Sequence, residues 1–406
     1  MGALSHLRVL DLSRVLAGPW SGQILADLGA RVIKVERPGQ GDDTRSWGPP
    51  YLKDQNGENT GEAAYYLAAN RNKESITVDF TRPEGQALIK KLAAESDVLI
   101  ENFKVGGLAA YGLDYESLRA VNPRLVYCSI TGFGQTGPYA KRAGYDFMIQ
   151  GLGGLMSLTG RASNEEGAGP VKVGVALTDV LTGLYASVAV LAALASREQT
   201  GAGQHIDMAL LDVQVACLAN QAMNYLTTGL APQRLGNAHP NIVPYQDFPT
   251  ADGDIIITVG NDNQFRRFAK ALGHEEWADD PRFAFNKARV AHRAVLVPLI
   301  RQATVFKTTA QWVDELEGLG VPCGPINDLA QVFADPQVVA RGLAVEMGHP
   351  LAGRLPQVAS PIRLSATPVE YRRPPPLLGE HTERVLSEVL GLSPQAISDL
   401  RESGIV

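Results

Sequence analysis

Over residues 8–130 short apolar strands alternate with segments of helical pattern, and this alternation restricts the fold more than any other feature of the chain. Residues 8–12 read as a strand, 13–18 as a loop, and 19–28 as a helix with proline in its first turn and Gly29 beyond its end. Residues 31–36 make a second strand, rich in β-branched side chains. A polar excursion over 37–61 precedes a third strand at 75–80. Residues 83–95 form an amphipathic helix, with Thr81 and Glu84 at capping-box spacing. A strand at 98–101, a helix at 115–121 and a strand at 124–130 complete the series. Strands separated by helices run mostly parallel, and a parallel sheet needs cover on both faces. The expectation is an α/β fold with a Rossmann-like, doubly wound parallel sheet.

At 406 residues the chain exceeds one ordinary core, so a second domain is expected. A Gly-rich, turn-prone stretch at 151–174 leads into an Ala, Val and Leu-rich helix from about 180 to 197, which has few polar groups and reads as buried. A strand at 204–209 and a second buried helix at 210–226 follow. From 229 the character changes to a Pro/Asn-rich connection at 236–249, a strand at 255–259 and helices carrying Arg, Phe and Trp. The reading is a large domain over residues 1–228, completed by a returning segment at 330–406, and a smaller α+β domain at 229–329.

Forty-three acidic against thirty-seven basic side chains leave a formal charge of −6, which argues against bulk attraction to nucleic acid or an anionic membrane. Cys128, Cys217 and Cys323 are scattered without a CxxC pair, as in a reduced cytoplasmic protein. The N-terminus has no signal-peptide pattern, and the longest apolar run, 186–195, is too short to span a bilayer. Seven histidines lack metal-ligand spacing, and no GxSxG, HExxH or P-loop occurs, so no metal is expected. Residues 132–137 match GxGxxG after a strand, yet Pro138 follows and no helix begins. That points to a tight turn rather than a dinucleotide site.

One carboxylate remains to be explained. In GVALTDVLTGLY, residues 174–185, Asp179 stands at the mouth of the apolar helix. There it is either an N-cap or a nucleophile. Free amides and the helix field would keep it ionised near neutral pH, and a thioester is an electrophile activated enough for a carboxylate to attack.

The runs LDLSRVLAGPWSGQILADLGARVIKVERPGQGDDTR, NRNKESITVDF, DVLIENFKVG, YCSITGFGQTGPYAKRAGYDF, GVALTDVLTGLY, GQHIDMALLD and RPPPLLGEHTERVL together resemble the class III CoA-transferases, which include formyl-CoA transferase and carnitine CoA-transferase. SRVLAGP, ERPGQGDDTRSWGPP, NIVPYQDF, VPCGPIND and RPPPLLGEHT are most similar to the branch that moves CoA from succinyl-CoA to a dicarboxylate such as glutarate or hydroxymethylglutarate. The resemblance implies a catalytic role for Asp179, through an acyl-aspartyl anhydride and an aspartyl-CoA thioester, with no metal and no tightly bound cofactor. The CoA thioester and a free carboxylic acid are the substrates.

Position by position, it implies that Val15 and Leu16 border the reactive end of CoA and that Arg37 meets its adenine or 3′-phosphate end. Val78, Asp79, Phe80 and Thr81 would flank the adenosine. Asn102, Phe103 and Lys104 follow the fourth strand, while Lys141, Arg142, Ala143, Gly144, Tyr145 and Asp146 approach the pantetheine or phosphates. Ala110 stands where the family often has Arg. The α-methylacyl-CoA racemases share the scaffold and are the alternative. Their His-bearing AGHD stretch reads Ala143-Gly144-Tyr145-Asp146 here, and tyrosine is a poor base at pH 7. A distal acceptor carboxylate needs a polar anchor, for which Arg14, Arg71, His239 and Tyr245 are candidates. The resemblance also implies an interlocked homodimer, with long connections at 229–249 and 327–361 compatible with threading.

Overall fold

A computed structural model describes residues 2–406, which fall into two compact units. The larger comprises residues 2–155, 173–223 and 337–406; the smaller comprises 156–172 and 224–336.

The larger unit is built on six strands: β1 (Arg8–Asp11), β2 (Arg31–Glu36), β3 (Lys73–Thr77), β4 (Val98–Glu101), β5 (Val126–Thr131) and β6 (His205–Ala209). They are hydrogen-bonded in the order β3-β2-β1-β4-β5-β6, and every neighbouring pair is parallel. The α/β alternation expected from the sequence is therefore present. Its helices include α1 (Ala17–Asp27), α2 (Pro83–Ala94), α3 (Tyr115–Val121), α4 (Asp146–Leu152), α5 (Leu177–Thr200), α6 (Leu210–Ala216), α7 (Ala219–Thr228), which runs past the boundary at 223, and two C-terminal helices at Thr382–Leu390 and Pro394–Glu402.

Alternating strand residues feed two cores. Leu10, Ile33, Val35 and Ile76 point to one face, under Leu88 and Leu92 of α2 and under Val385, Leu386 and Ile397 of the C-terminal helices. Val9, Val32, Val98, Ile100 and Val126 point to the other, against Leu25 of α1 and Ala186, Val190 and Leu194 of α5. Burying side chains of this size contributes roughly 1.5–3 kcal/mol each. Beyond β1 the chain steps outward through β2 and β3, then returns to the other side of β1 for β4. The loops after β1 and β4 therefore diverge at the carboxyl edge, where open α/β sheets collect ligands.

Several local expectations are corrected. β3 begins at Lys73, two residues early, because the charges that masked it are paired in the core: Lys73 with Asp11 at 2.9 Å, and Glu74 with Arg31 and Arg384, each at 2.7 Å. No capping box opens α2. Its N-cap is Arg82, and the Thr81 hydroxyl donates instead to Asp79 at 2.6 Å. The helix expected at 210–226 breaks between α6 and α7, where Ala219 takes a φ of 45°.

The helix carrying Asp179 opens three residues before the expected 180. Ala176 is its N-cap and Asp179 lies in its first turn, which rules out the capping role. Nor is α5 buried all round, since Leu184, Tyr185 and Val188 are exposed. It is 24 residues long, and an 18-residue stretch of it has a mean hydropathy of 1.7, so it is long and apolar enough to cross a bilayer by length and composition alone. The face packed on the sheet is what a core helix also shows.

The smaller unit is α+β. Its strands β7 (Tyr245–Pro249), β8 (Asp254–Thr258) and β9 (Cys323–Pro325) form an antiparallel sheet in the order β9-β8-β7. Phe248, Ile255 and Ile257 pack there with Phe265, Phe268, Trp312 and Leu316.

Candidate active site

The loop after β1 is held group by group. Asp11 accepts from the Ser13 backbone N–H at 3.0 Å and from its hydroxyl. Lys34 Nζ donates to the Ser13 carbonyl at 2.9 Å and to Asp42 at 2.8 Å, both side chains being fully buried. The side chain of Asn102, after β4, exchanges hydrogen bonds with the N–H and C=O of Arg14 at 2.9 and 2.6 Å. Asp42 Oδ1 accepts from the Val15 N–H at 3.2 Å and from the N–H and hydroxyl of Thr44. Burial pushes the Asp42 carboxyl up; the Lys34 charge and the Thr44 hydrogen bonds outweigh it and hold the group at about 2. Val15 has φ 71°, which costs a β-branched residue about 1–3 kcal/mol.

Asp179 enters from the opposite side on α5. That helix sits close to α1: a Cβ on Gly183 would lie 2.7 Å from the Ala17 carbonyl, and the hydroxyls of Ser21 and Ser187 meet at 3.0 Å. Asp146, first residue of α4, accepts from the N–H groups of Thr178 (2.8 Å) and Asp179 (3.4 Å) and from Gln150. The free amides at the start of α5 thus serve Asp146, and among the described residues no donor reaches the Asp179 carboxylate. Burial, and then the Asp146 charge, push Asp179 up to about 7. This corrects the expectation that the helix field keeps it ionised. Tyr65 stands in the same field. Burial and the charges of Asp179, Asp146 and Asp42 push its hydroxyl up to about 12, so it remains a donor, and its ring meets Trp47 edge-on at 5.1 Å.

These elements surround a cleft of about 800 Å³. Val15, Leu16, Arg37, Val78, Asp79, Phe80, Thr81, Asn102, Phe103, Lys104, Arg142, Ala143, Gly144, Tyr145 and Asp179 all line it. Phe80 packs edge-on against Phe103 (5.6 Å) and Tyr111 (5.8 Å), so three aromatic rings share the cleft lining. Arg37, Lys104 and Arg142 are exposed on it, Arg142 lying 4.5 Å over the Tyr139 ring. Gly144 has a structural demand of its own, because a Cβ there would lie 2.5 Å from the Gly132 backbone.

Two of the expected residues are not in the wall. Lys141 is exposed on the adjoining turn, and Asp146 sits behind Asp179. Ala110 is exposed beside Tyr111, a lining residue. Among the candidate acceptor anchors, Arg14 lines the cleft and pairs with Asp43 at 2.9 Å. Arg71 is buried, bound to Asp27 at 2.6 Å and to the Val358 carbonyl at 2.7 Å, with no charge left for a substrate. His239 and Tyr245 belong to the smaller unit, their rings 5.1 Å apart. Sequence reasoning missed Lys34, Asp42, Trp47 and Tyr65. A lysine within the strand RVIKVE was the available signal for the first two. Among the described residues no cluster of three His, Cys, Asp or Glu side chains is placed to hold a metal ion.

The sequence model of CoA-transferase family III matches residues 4–382, and the chain belongs to this family of enzymes. It is 56% identical over 386 residues to the succinate–glutarate CoA-transferase of Agrobacterium fabrum, covering 95% of each chain. It is 46% identical over 403 residues to the human succinyl-CoA:glutarate CoA-transferase, covering 99% of this chain and 90% of that one. A solved CAIB/BAIF family protein from Brucella suis superposes with a TM-score of 0.83 at 53% identity, over 96% of this chain and 99% of that one. The racemase alternative is not favoured by relatives that carry CoA-transferase names.

Proposed function

We propose that this chain transfers CoA from succinyl-CoA to a dicarboxylic acid, glutarate first among them, with Asp179 as the covalent carrier. The observation that carries the reading is an unpartnered, half-buried carboxylate opening into a cleft shared with the family's CoA-contacting motifs. The names of the relatives supply the acids.

In this reading an Asp179 oxygen attacks the thioester carbon, the C–S bond breaks, and CoA leaves as thiolate with a succinyl-aspartyl anhydride behind it. The thiolate attacks the aspartyl carbonyl, succinate departs, and an aspartyl-CoA thioester remains. An acceptor carboxylate displaces CoA, and the returning thiolate takes the acceptor's acyl carbon and regenerates Asp179. The carbonyl oxygens become negative in turn, a charge that a hydrogen-bond donor beside Asp179 would stabilise. Each step uses only a carboxylate and a thiolate.

The adenosine end is assigned to the Phe80–Phe103 wall and the phosphates to Arg37, Lys104 and Arg142, with Lys141 outside the cleft as a further contact for the phosphate tail. The large domain is the CoA-binding part, the assembly is an interlocked homodimer, and the location is cytoplasmic. The test is to incubate the protein with succinyl-CoA and quench with hydroxylamine. A hydroxamate at Asp179, seen by peptide mass spectrometry, is the expected result. No adduct, together with full turnover by Asp179→Ala, would overturn the reading.

A further inference from the structure

Most of the loop Ser13–Leu16 is shaped by two buried charged groups, Lys34 and Asp42, that also border the cleft. The Lys34 ammonium holds the Ser13 carbonyl, and its partner Asp42 holds the Val15 N–H. Through Thr44 the same Asp42 carboxylate fixes the start of the segment that carries Asp43 and Trp47 into the opposite wall. One buried carboxylate therefore ties two walls together. Asp11, Glu36 and Lys73 are the other charges facing this pair.

Stability alone gives a weak reason for such a pair. Removing two charges from water is costly, and well-packed apolar residues of similar volume are often as stable. The local sequence argues the same way. A left-handed residue in a free loop would be glycine or asparagine, yet position 15 is a β-branched valine that its surroundings must hold in place.

We propose that Lys34 and Asp42 are positioning residues for CoA transfer: together they force Val15 into its left-handed form and so set the cleft wall shared with Asp179. This rests on the reading that acyl-CoA occupies this cleft. The backbone of Val15 and the side chain of Leu16 then face the thioester at a fixed height, and the Arg14 backbone, locked to Asn102, joins that wall to the Phe103 wall.

The decisive variant is K34M/D42L, which keeps the volume buried and removes the charges. The expected result is a folded protein with a melting temperature near that of the parent, a KM for succinyl-CoA raised about tenfold or more, and a smaller fall in kcat. Adding V15G should recover most of the lost kcat/KM, because glycine adopts positive φ without enforcement. A purely structural pair would show no such rescue. Parental KM in K34M/D42L, or failure of V15G to restore it, overturns the proposal. Should K34M/D42L not fold, D42S is the milder variant, its shorter side chain no longer reaching both Lys34 and the Val15 N–H; an unchanged KM there overturns the proposal equally. Asp179→Ala assayed in parallel separates the two ideas, since its activity bears on the carrier and not on the loop.

Discussion

At the scale of the residue, the burial of Asp179, and then its position relative to Asp146, raise its carboxyl pKa and predict how the protein responds to pH. The folded carboxyl lies near 7 and the free one near 3.8, so the folded protein binds that proton more tightly than the unfolded chain. Between those values stability falls as pH rises, and above 7 the fold carries a charge it disfavours. Asp179→Asn should therefore melt higher than the parent at pH 8, by roughly 2–4 kcal/mol at most, with the gap closing as pH drops toward 4. Calorimetry across that range checks the sign. On the proposed mechanism activity runs the other way, because only the ionised form would attack. The kcat/KM for succinyl-CoA should lose about tenfold per unit below pH 7, and Asp146→Asn should move that acid limb to lower pH by removing the repelling charge. An unshifted limb in Asp146→Asn would mean that burial alone sets the group. Asp179→Asn should lose on the order of a thousandfold or more in turnover.

At the scale of the element, the contact of α5 with α1 positions Asp179, the proposed nucleophile, and Gly183, one turn further along, makes that contact possible. A methyl group there meets the Ala17 backbone carbonyl, which cannot rotate away. Gly183→Ala should destabilise by about 1–3 kcal/mol by overpacking, although alanine is the better helix former by about 1 kcal/mol. Urea denaturation measures this directly, and a neutral or stabilising result would show that the two helices can separate. This contact is also where sequence reading reached its limit. The strand and helix series was legible because period-2 and period-3.6 apolar patterns reflect local chemistry, and the motif residues of the cleft were legible as strings. The start of α5 was not, because Ala176 caps without a side-chain signal and Asp146, 32 positions before Thr178, supplies the anion that serves the free amides. Lys73 was missed for the same reason: its partner Asp11 lies 62 positions away on β1. Partners that distant leave no local pattern.

At the scale of the whole molecule, the solvent face of α5 is the feature that a single chain leaves unexplained. Leu184, Tyr185 and Val188 are 42, 46 and 63% exposed, at positions i, i+1 and i+4 on one side of the helix that carries Asp179. Met223, Tyr225 and Leu226 on α7 are also at least half exposed. Patches of large apolar side chains of this kind are unusual on a lone chain and are ordinarily covered by a partner. In the homodimer proposed above, a second copy covers them, and covering α5 also fixes the angle at which Asp179 enters the cleft. Val188→Asp should therefore act on assembly and chemistry together. Scattering in line with size exclusion should show the parent at twice the 43.5 kDa chain mass. The variant should shift toward one chain mass, with turnover falling in step with the dimer fraction as protein is diluted. A parent that runs as a single chain would leave the exposed face without a partner. A monomeric variant with full activity would show that α5 holds Asp179 in place unaided.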